Sequence, residues 1–195
     1  MLLLIQYTLI FASVLVLVAL GGCFSEHSGV INIGLEGIMV MGALGGALMM
    51  KFLPAGTPAL VMILLVILAA VAIGMLFSLL LGVAAIRFSA DQTLVGTALN
   101  LLGPAAAVVL VRAINMAENA DNVSSTVVYG QAKKAFLVYI GKFEFNWFML
   151  IALLALAASY IVLYKTKFGL RLMACGEHPQ AADSVGINVY RMRYA

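Results

Sequence analysis

Three stretches of the chain contain no Asp, Glu, Lys or Arg: residues 52–86, 93–111 and 145–164. The first 50 residues contain no Lys or Arg either. A helix that crosses a bilayer needs roughly 20 predominantly apolar residues, so each stretch is long enough to hold one. Since 65% of all residues are hydrophobic and 10% are charged, the composition differs from that of a soluble globular domain. The sequence therefore predicts an all-α fold, that of a polytopic helical membrane protein.

The apolar stretches predict about five transmembrane helices. The N-terminal one lacks the basic flank and the small-residue cleavage site of a signal peptide, so it is interpreted as a retained span. The predicted spans cover residues 2–22, 30–50, 57–82, 93–112 and 146–164.

Basic residues are concentrated in the C-terminal segment, residues 165–195. The positive-inside rule places such a segment in the cytoplasm. Alternation back through the spans then places Arg87 inside, and both the polar loop 113–144 and the N-terminus outside. Two features oppose this orientation. Three lysines lie in that loop, and a re-entrant excursion at residues 23–36 would reverse everything before it.

Asn32 and Glu36 lie in a glycine-rich stretch, residues 28–37, at the start of the second predicted span. A carboxylate and an amide are costly in lipid, so they are expected to face protein or a water-filled cavity. The glycines allow the helix to break, and broken helices at membrane depth line substrate paths. The alternative is that Glu36 lies in an aqueous loop just outside the bilayer.

Thr93, Thr97 and Asn100 follow one another at helical spacings of four and three, so they share one face of the fourth predicted span. Asn100 either forms a hydrogen bond with a neighbouring helix or lines a pathway beside Asn32 and Glu36. The candidate pathway residues are Asn32, Glu36, Thr93, Thr97 and Asn100.

The C-terminal segment contains the signals of a short helix. Pro179 suits the first helical position, and Gly186 suits the residue just past a helix end. A helix is predicted over residues 179–185, in which Ala181 and Ala182 leave room for a partner surface to come close. An ordinary polar loop is the alternative.

The sequence offers little for catalysis or metal binding. No carboxylate pair, Cys/His pair or H-E-x-x-H motif lies in a span, and the phosphate-binding motif G-x-x-x-x-G-K-[ST] does not occur. A bridge between Cys23, at the end of the first span, and Cys175, on the last segment, is not expected. The pI of about 9.0 is explained by basic residues at membrane edges rather than by nucleic acid. We therefore expect no catalytic residue, no metal and no cofactor bound by this chain.

Residues 24–37, 91–100 and 176–188 form three motifs. In this order they resemble motifs of the permeases of ATP-binding cassette (ABC) importers of the ribose and branched-chain amino acid type, and more narrowly of the branch that imports nucleosides such as guanosine. Permeases of this family continue into further spans, whereas this chain stops at Ala195. Residues 1–195 are therefore expected to be a single, incomplete transmembrane permease domain.

The resemblance implies a membrane-spanning permease subunit of an ABC importer for nucleosides, in a bacterial cell membrane. A permease for a simple sugar such as ribose is the alternative, and an ATPase-independent channel or secondary transporter is a third reading. The implied partners are a separate cytoplasmic ATPase that uses ATP and Mg, a second permease subunit, an extracytoplasmic substrate-binding lipoprotein and membrane lipid. The polar loop 113–144 is expected to be extracytoplasmic and to face the lipoprotein.

By the same resemblance, residues 165–195 are a cytoplasmic coupling segment, whose short helix seats in a groove of the ATPase. The residues expected to couple the two subunits are Gly176, Glu177, Pro179, Ala181, Ala182, Asp183 and Gly186.

Overall fold

A computed structural model describes residues 1–54, 56–128, 137–140 and 143–195 of the chain. Among these residues, five helices are long and apolar enough to cross a membrane. The predicted all-α, polytopic membrane fold is confirmed. The five helices are α1 (Leu2–His27), α2 (Leu35–Phe52), α3 (Ala59–Gly82), α4 (Gln92–Glu118) and α5 (Trp147–Lys165).

Shorter elements follow or join these spans. Helix α3 continues as a π-helical turn over Val83–Arg87. The C-terminal segment forms α6 (Lys167–Glu177), α7 (Pro179–Ser184) and α8 (Val189–Tyr194).

The end of the predicted outer loop and the two residues after it form a short antiparallel pair of strands, β1 (Leu137–Ile140) and β2 (Phe143–Asn146). In their register, Leu137 lies opposite Asn146. Residues 129–136 and 141–142, and with them Lys133, Lys134 and Lys142, lie outside the described residues.

Helix α1 runs to His27, past its predicted end at residue 22, because the polar residues there continue the helix until a glycine stops it. Gly29 has a φ of 80°. Its N–H donates to the Glu26 carbonyl at 2.9 Å, and the Val30 N–H donates to the Ser25 carbonyl at 3.2 Å. These two bonds are those of a Schellman motif. Helix α2 consequently begins at Leu35 rather than at residue 30.

The chain divides into two compact units. Unit 1 comprises the described parts of residues 1–33, 82–93 and 137–195. In it, α1 packs along α5, α6 packs against both, and α7 and α8 pack on α6. Its core includes Leu163, Leu172, Cys175 and Ala182, none of which is more than 4% exposed.

Unit 2 comprises the described parts of residues 34–81 and 94–136, and its helices pack through glycines. A β-carbon placed on Gly103 of α4 would lie 2.7 Å from the Gly37 carbonyl oxygen of α2. A β-carbon on Gly45 of α2 would lie 2.9 Å from the Ala69 carbonyl oxygen of α3. Small residues at these points allow the helix backbones to approach closely, as in other membrane bundles.

Candidate functional site

Asn100 is used inside unit 2 as a cap for a neighbouring helix. Its Oδ1 accepts a hydrogen bond of 2.8 Å from the N–H of Gly37. Gly37 lies in the first turn of α2, where N–H groups have no partner within their own helix. Of the two roles that the sequence left open for Asn100, the structure shows the hydrogen bond between helices.

Glu36 is exposed in the same first turn of α2. A carboxylate there complements the positive end of the helix dipole. Thr97 is exposed on α4, and its hydroxyl donates to the Leu94 carbonyl of the preceding turn at 3.0 Å. In unit 2 the structure therefore brings Asn100 to the turn that carries Glu36.

In unit 1, Asn32 lies on the turn between α1 and α2, and its Oδ1 is buried without a hydrogen-bond partner among the described residues. The adjacent Ile31 donates its N–H to Oε1 of Gln92 at 2.7 Å. Thr93 follows Gln92 in the exposed first turn of α4, where its N–H donates to the capping Asp91 at 2.8 Å. The turn that carries Asn32 thus lies against the start of the helix that carries Thr93.

Helix α7 forms over Pro179–Ser184, as the prolyl and glycyl signals predicted. Gly186 has a φ of 83°. Its N–H donates to the Asp183 carbonyl at 2.9 Å, and the Ile187 N–H donates to the Ala182 carbonyl at 3.0 Å. The helix ends at Ser184 rather than at residue 185, because Val185 is its C-terminal cap.

The two alanines of α7 face opposite ways. Ala182 is 4% exposed and packs inside unit 1, whereas Ala181 is exposed. Only Ala181 can therefore offer a partner the close approach expected of both. Val185, predicted only as the last residue of the helix, is 75% exposed and adds apolar surface to the same end of α7.

Gly176 is half-buried, because the end of α1 packs against it. A β-carbon on Gly176 would overlap the His27 carbonyl oxygen and lie 3.1 Å from the Gly29 nitrogen. The end of α6 therefore lies directly on the end of α1. Glu177, the next residue along, is exposed.

Three ends meet at one side of unit 1. Besides the contact of Gly176 with α1, a β-carbon on Gly82 would lie 3.6 Å from the Tyr194 ring of α8. A groove of about 280 Å³ separates the link around Ser89 from α7 and α8. The end of α1, the end of α3 and the C-terminal segment thus lie together, as alternating spans require.

At the far ends of α2 and α4, unit 2 contains a polar cluster that the sequence did not predict. Lys51 Nζ lies 2.9 Å from a Glu118 carboxylate oxygen and donates to Asn115 Oδ1 at 3.0 Å. Asn115 is 4% exposed, and its Nδ2 donates to the carbonyls of Ser124 and Thr126. This cluster explains why α4 continues to Glu118, beyond its predicted end at residue 112.

Cys23 and Cys175 are both free thiols. Within the described ranges, no three His, Cys, Asp or Glu side chains lie close enough together to hold a metal ion.

Five apolar spans, closely packed helices and a capped helix outside the spans are the architecture of a multi-pass membrane protein. The family described as branched-chain amino acid transport system, permease component, matches residues 4–195, and the chain belongs to this family. Together with the five apolar helices, this membership makes the chain a multi-pass protein of the cell membrane.

Three relatives illustrate the similarity. The guanosine ABC transporter permease protein NupQ of Bacillus subtilis is 43% identical over 96% of this chain and 60% of its own length. The nucleoside ABC transporter permease protein NupC of Lactococcus lactis is 39% identical over the same shares, 96% and 60%.

A more distant relative is TsgC13 of Haloferax volcanii, which is provisionally named a glucose ABC transporter permease. It is 29% identical over 94% of this chain and 54% of its own length. The chain thus spans about 60% of the length of the first two relatives. No solved structure matched the chain.

Proposed function

We propose that the full-length protein is the membrane-spanning permease subunit of an ABC importer for nucleosides. Its family is one of transport permeases, and the two relatives at 43% and 39% identity are named for guanosine and nucleoside transport. The structural observation that carries the proposal is α7. It is a short helix outside the spans, fixed at its end by a glycine cap and anchored by one buried alanine.

In this proposal, a separate cytoplasmic ATPase binds and uses ATP and Mg. A second permease subunit completes the membrane pathway, and an extracytoplasmic lipoprotein delivers the substrate. The chain itself has the role of a permease, not of an enzyme, in keeping with the names of its relatives.

The ATPase is proposed to bind the exposed face of α7. That face presents Gln180, Ala181, Asp183 and Ser184, with Val185 beside them. Ala181 permits close approach, Val185 offers apolar area, and Asp183 can pair with a basic residue of the partner. Pro179 and Gly186 fix the two ends of the helix, so the face is presented rigidly.

A pair of matched substitutions tests this docking surface. Val185 is 75% exposed, and Val128, in the predicted outer loop, is 78% exposed. We expect Val185→Arg to abolish co-purification of the ATPase with the complete permease and Val128→Arg to leave it unchanged. Equal recovery of the ATPase with both variants would contradict docking on α7.

Asn32 and Glu36 are each proposed to face the substrate path. The Oδ1 of Asn32, which has no hydrogen-bond partner in the described part of the chain, and the exposed carboxylate of Glu36 support this. Both groups can accept hydrogen bonds from the hydroxyls and base N–H groups of a nucleoside. Thr93 and Thr97 are exposed and are proposed to line the path, whereas Asn100 is proposed to hold the start of α2 in place.

The pathway is tested with Glu36→Ala and Glu36→Gln in the assembled transporter. We expect Glu36→Ala to reduce nucleoside uptake, and Glu36→Gln to retain more of it because an amide oxygen still accepts hydrogen bonds. Unchanged uptake by normally assembled Glu36→Ala would remove Glu36 from the pathway.

Substrate class is tested by uptake of labelled guanosine and labelled ribose into proteoliposomes that contain the complete transporter. We expect guanosine uptake that requires ATP hydrolysis and is lost with a hydrolysis-deficient ATPase. Uptake of ribose alone would favour the sugar alternative. Uptake that persists without ATP hydrolysis would indicate a channel or a secondary transporter.

A further inference from the structure

The turn between α1 and α2, residues 28–33, is held by three other elements of unit 1. Helix α6 contacts it through Gly176, α8 through Arg193, and the start of α4 through Gln92. None of these contacts is needed to end α1, because the Schellman motif at Gly29 already does so.

The first contact joins two backbones. A β-carbon on Gly29 would lie 3.1 Å from the Cα of Gly176, and one on Gly176 would lie 3.1 Å from the nitrogen of Gly29. No side chain lies between the two glycines that could adjust its rotamer. Packed interiors transmit displacement rather than absorb it, so a movement of the end of α6 is passed directly to the turn.

The second contact is a charged hydrogen bond. Nε of Arg193 donates to the Ser28 carbonyl at 3.1 Å, and Ser28 is 4% exposed. Ser28 is the C-terminal cap of α1. The last carbonyls of a helix lack partners within it, and a cation there complements the helix dipole. Arg193 thus links α8 by a hydrogen bond to the end of a membrane span.

The third contact joins the turn to the start of α4. The Ile31 N–H donates to Gln92 Oε1 at 2.7 Å, at the first residue of α4. At the other side of the joint, α6 is separated from α7 by His178 alone. A continuous series of contacts therefore runs from the exposed α7, through α6 and α8, to the end of α1 and the start of α4.

We propose that Gly29, Gly176 and Arg193 form a transmission joint, through which displacement of α7 moves the turn that carries Asn32. In this proposal they are positioning residues, which act without direct contact with the ATPase or the substrate. The inference rests on the proposed function, because it names the route by which closure of the ATPase reaches the membrane spans.

Arg193→Met tests the joint in the complete transporter, because methionine keeps an unbranched apolar stem and loses the donor. The matched control is Arg191→Met, which removes the same charge from an exposed position of the same helix. Arg193→Lys is the conservative variant, since its ammonium can still donate to a carbonyl. The measurements are ATPase co-purification, thermal stability, ATP hydrolysis and uptake of labelled guanosine.

We expect Arg193→Met to keep its ATPase and to stay folded, with a lower melting temperature because the buried Ser28 carbonyl loses its donor. It should lose roughly 5-fold or more of the uptake per ATP hydrolysed, the lower end of typical coupling between sites. Arg193→Lys should recover part of that loss, and Arg191→Met should behave as wild type. Wild-type uptake per ATP in Arg193→Met would overturn the joint. Loss of the ATPase from the Arg193→Met complex would also overturn it, by making Arg193 a docking residue.

Failure of the proposed function gives a different result. If the wild-type complex neither retains an ATPase nor couples uptake to hydrolysis, the importer proposal fails and the joint fails with it. If the wild type does both and Arg193→Met matches it, only the joint fails. Gly176→Ala supplies a second variant, expected to lose uptake per ATP at least as strongly, because its β-carbon would overlap the His27 carbonyl.

Discussion

Helices α1 and α7 end in the same capping motif, but the surroundings of the capping glycine differ between them. Gly29 and Gly186 have φ values of 80° and 83°, and each completes the same pair of capping hydrogen bonds. A β-carbon on Gly29 would lie 3.1 Å from both Gly176 and Arg193, whereas one on Gly186 would meet nothing within 4 Å. One local motif therefore serves as a packed joint in α1 and as a free surface end in α7.

This difference in packing separates two energetic costs of replacing a glycine: backbone strain and steric overlap. At Gly186, only backbone strain opposes a side chain. At Gly176, whose φ is not positive, only steric overlap opposes one. At Gly29 both costs act. The four substitutions that follow measure these costs separately in the complete protein.

The largest effect is expected for Gly29→Ala. A left-handed backbone costs an L-residue roughly 1–2 kcal/mol, and overpacking costs typically about 1–3 kcal/mol. Alanine also lowers the conformational entropy of the unfolded chain, which offsets about 0.4–1 kcal/mol. We therefore expect a loss of roughly 1–4 kcal/mol, measured as the free energy of unfolding in detergent. A loss no greater than that of Gly186→Ala would show that the contacts of Gly29 are not close in solution.

Gly176→Ala is expected to follow. Because its backbone is not strained, only overlap with the His27 carbonyl acts. After the same entropic offset, the expected loss is about 1–2 kcal/mol. The same unfolding measurement applies. Pairing it with Gly29→Ala in a double-mutant cycle should give a non-additive result, since residues in contact are coupled. Strict additivity would indicate that α1 and α6 do not touch at this point.

Gly186→Ala should cost about 1 kcal/mol. Strain of roughly 1–2 kcal/mol is partly offset, because alanine lowers the conformational entropy of the unfolded chain by about 0.4–1 kcal/mol. We also expect weaker ATPase co-purification, since α7 would no longer end at a fixed residue. Full stability together with full ATPase recovery would show that the cap of α7 is dispensable.

Gly186→Asn should have the smallest effect, under about 1 kcal/mol, because asparagine enters the left-handed region more readily than other side chains. ATPase recovery should stay close to that of the wild type. If Gly186→Asn instead loses as much stability as Gly186→Ala, side-chain bulk rather than φ is the cause. The open space around Gly186 would then be filled in the complete transporter.

Local sequence signals predicted much of the fold. The apolar stretches, three of them free of charged residues, predicted the five spans, and Pro179 with Gly186 predicted α7 to within one residue. Both signals depend on residues close together in the chain, where hydropathy and backbone preference act directly. The family resemblance was confirmed as well. It could be recognised from the sequence because each of its three motifs is a contiguous string of residues.

Contacts between distant residues were decided by the tertiary structure alone. The sequence assigned Gly176 and Ala182 to a partner surface, but the fold buries Ala182 and places Gly176 on the end of α1. It offered two roles for Asn100, and only the packing of α4 on α2 brings that side chain to the Gly37 N–H.

The same holds for the bonds from Arg193 to Ser28 and from Lys51 to Asn115, which join residues 165 and 64 positions apart. No periodicity or motif in the sequence marks either pair, because the energy of each contact depends on where the elements of the fold meet. What the sequence determined by itself is which segments enter the membrane and where one surface helix begins and ends. The tertiary structure decided which glycine is a joint and which is a free end, since that depends on what lies within van der Waals distance of each.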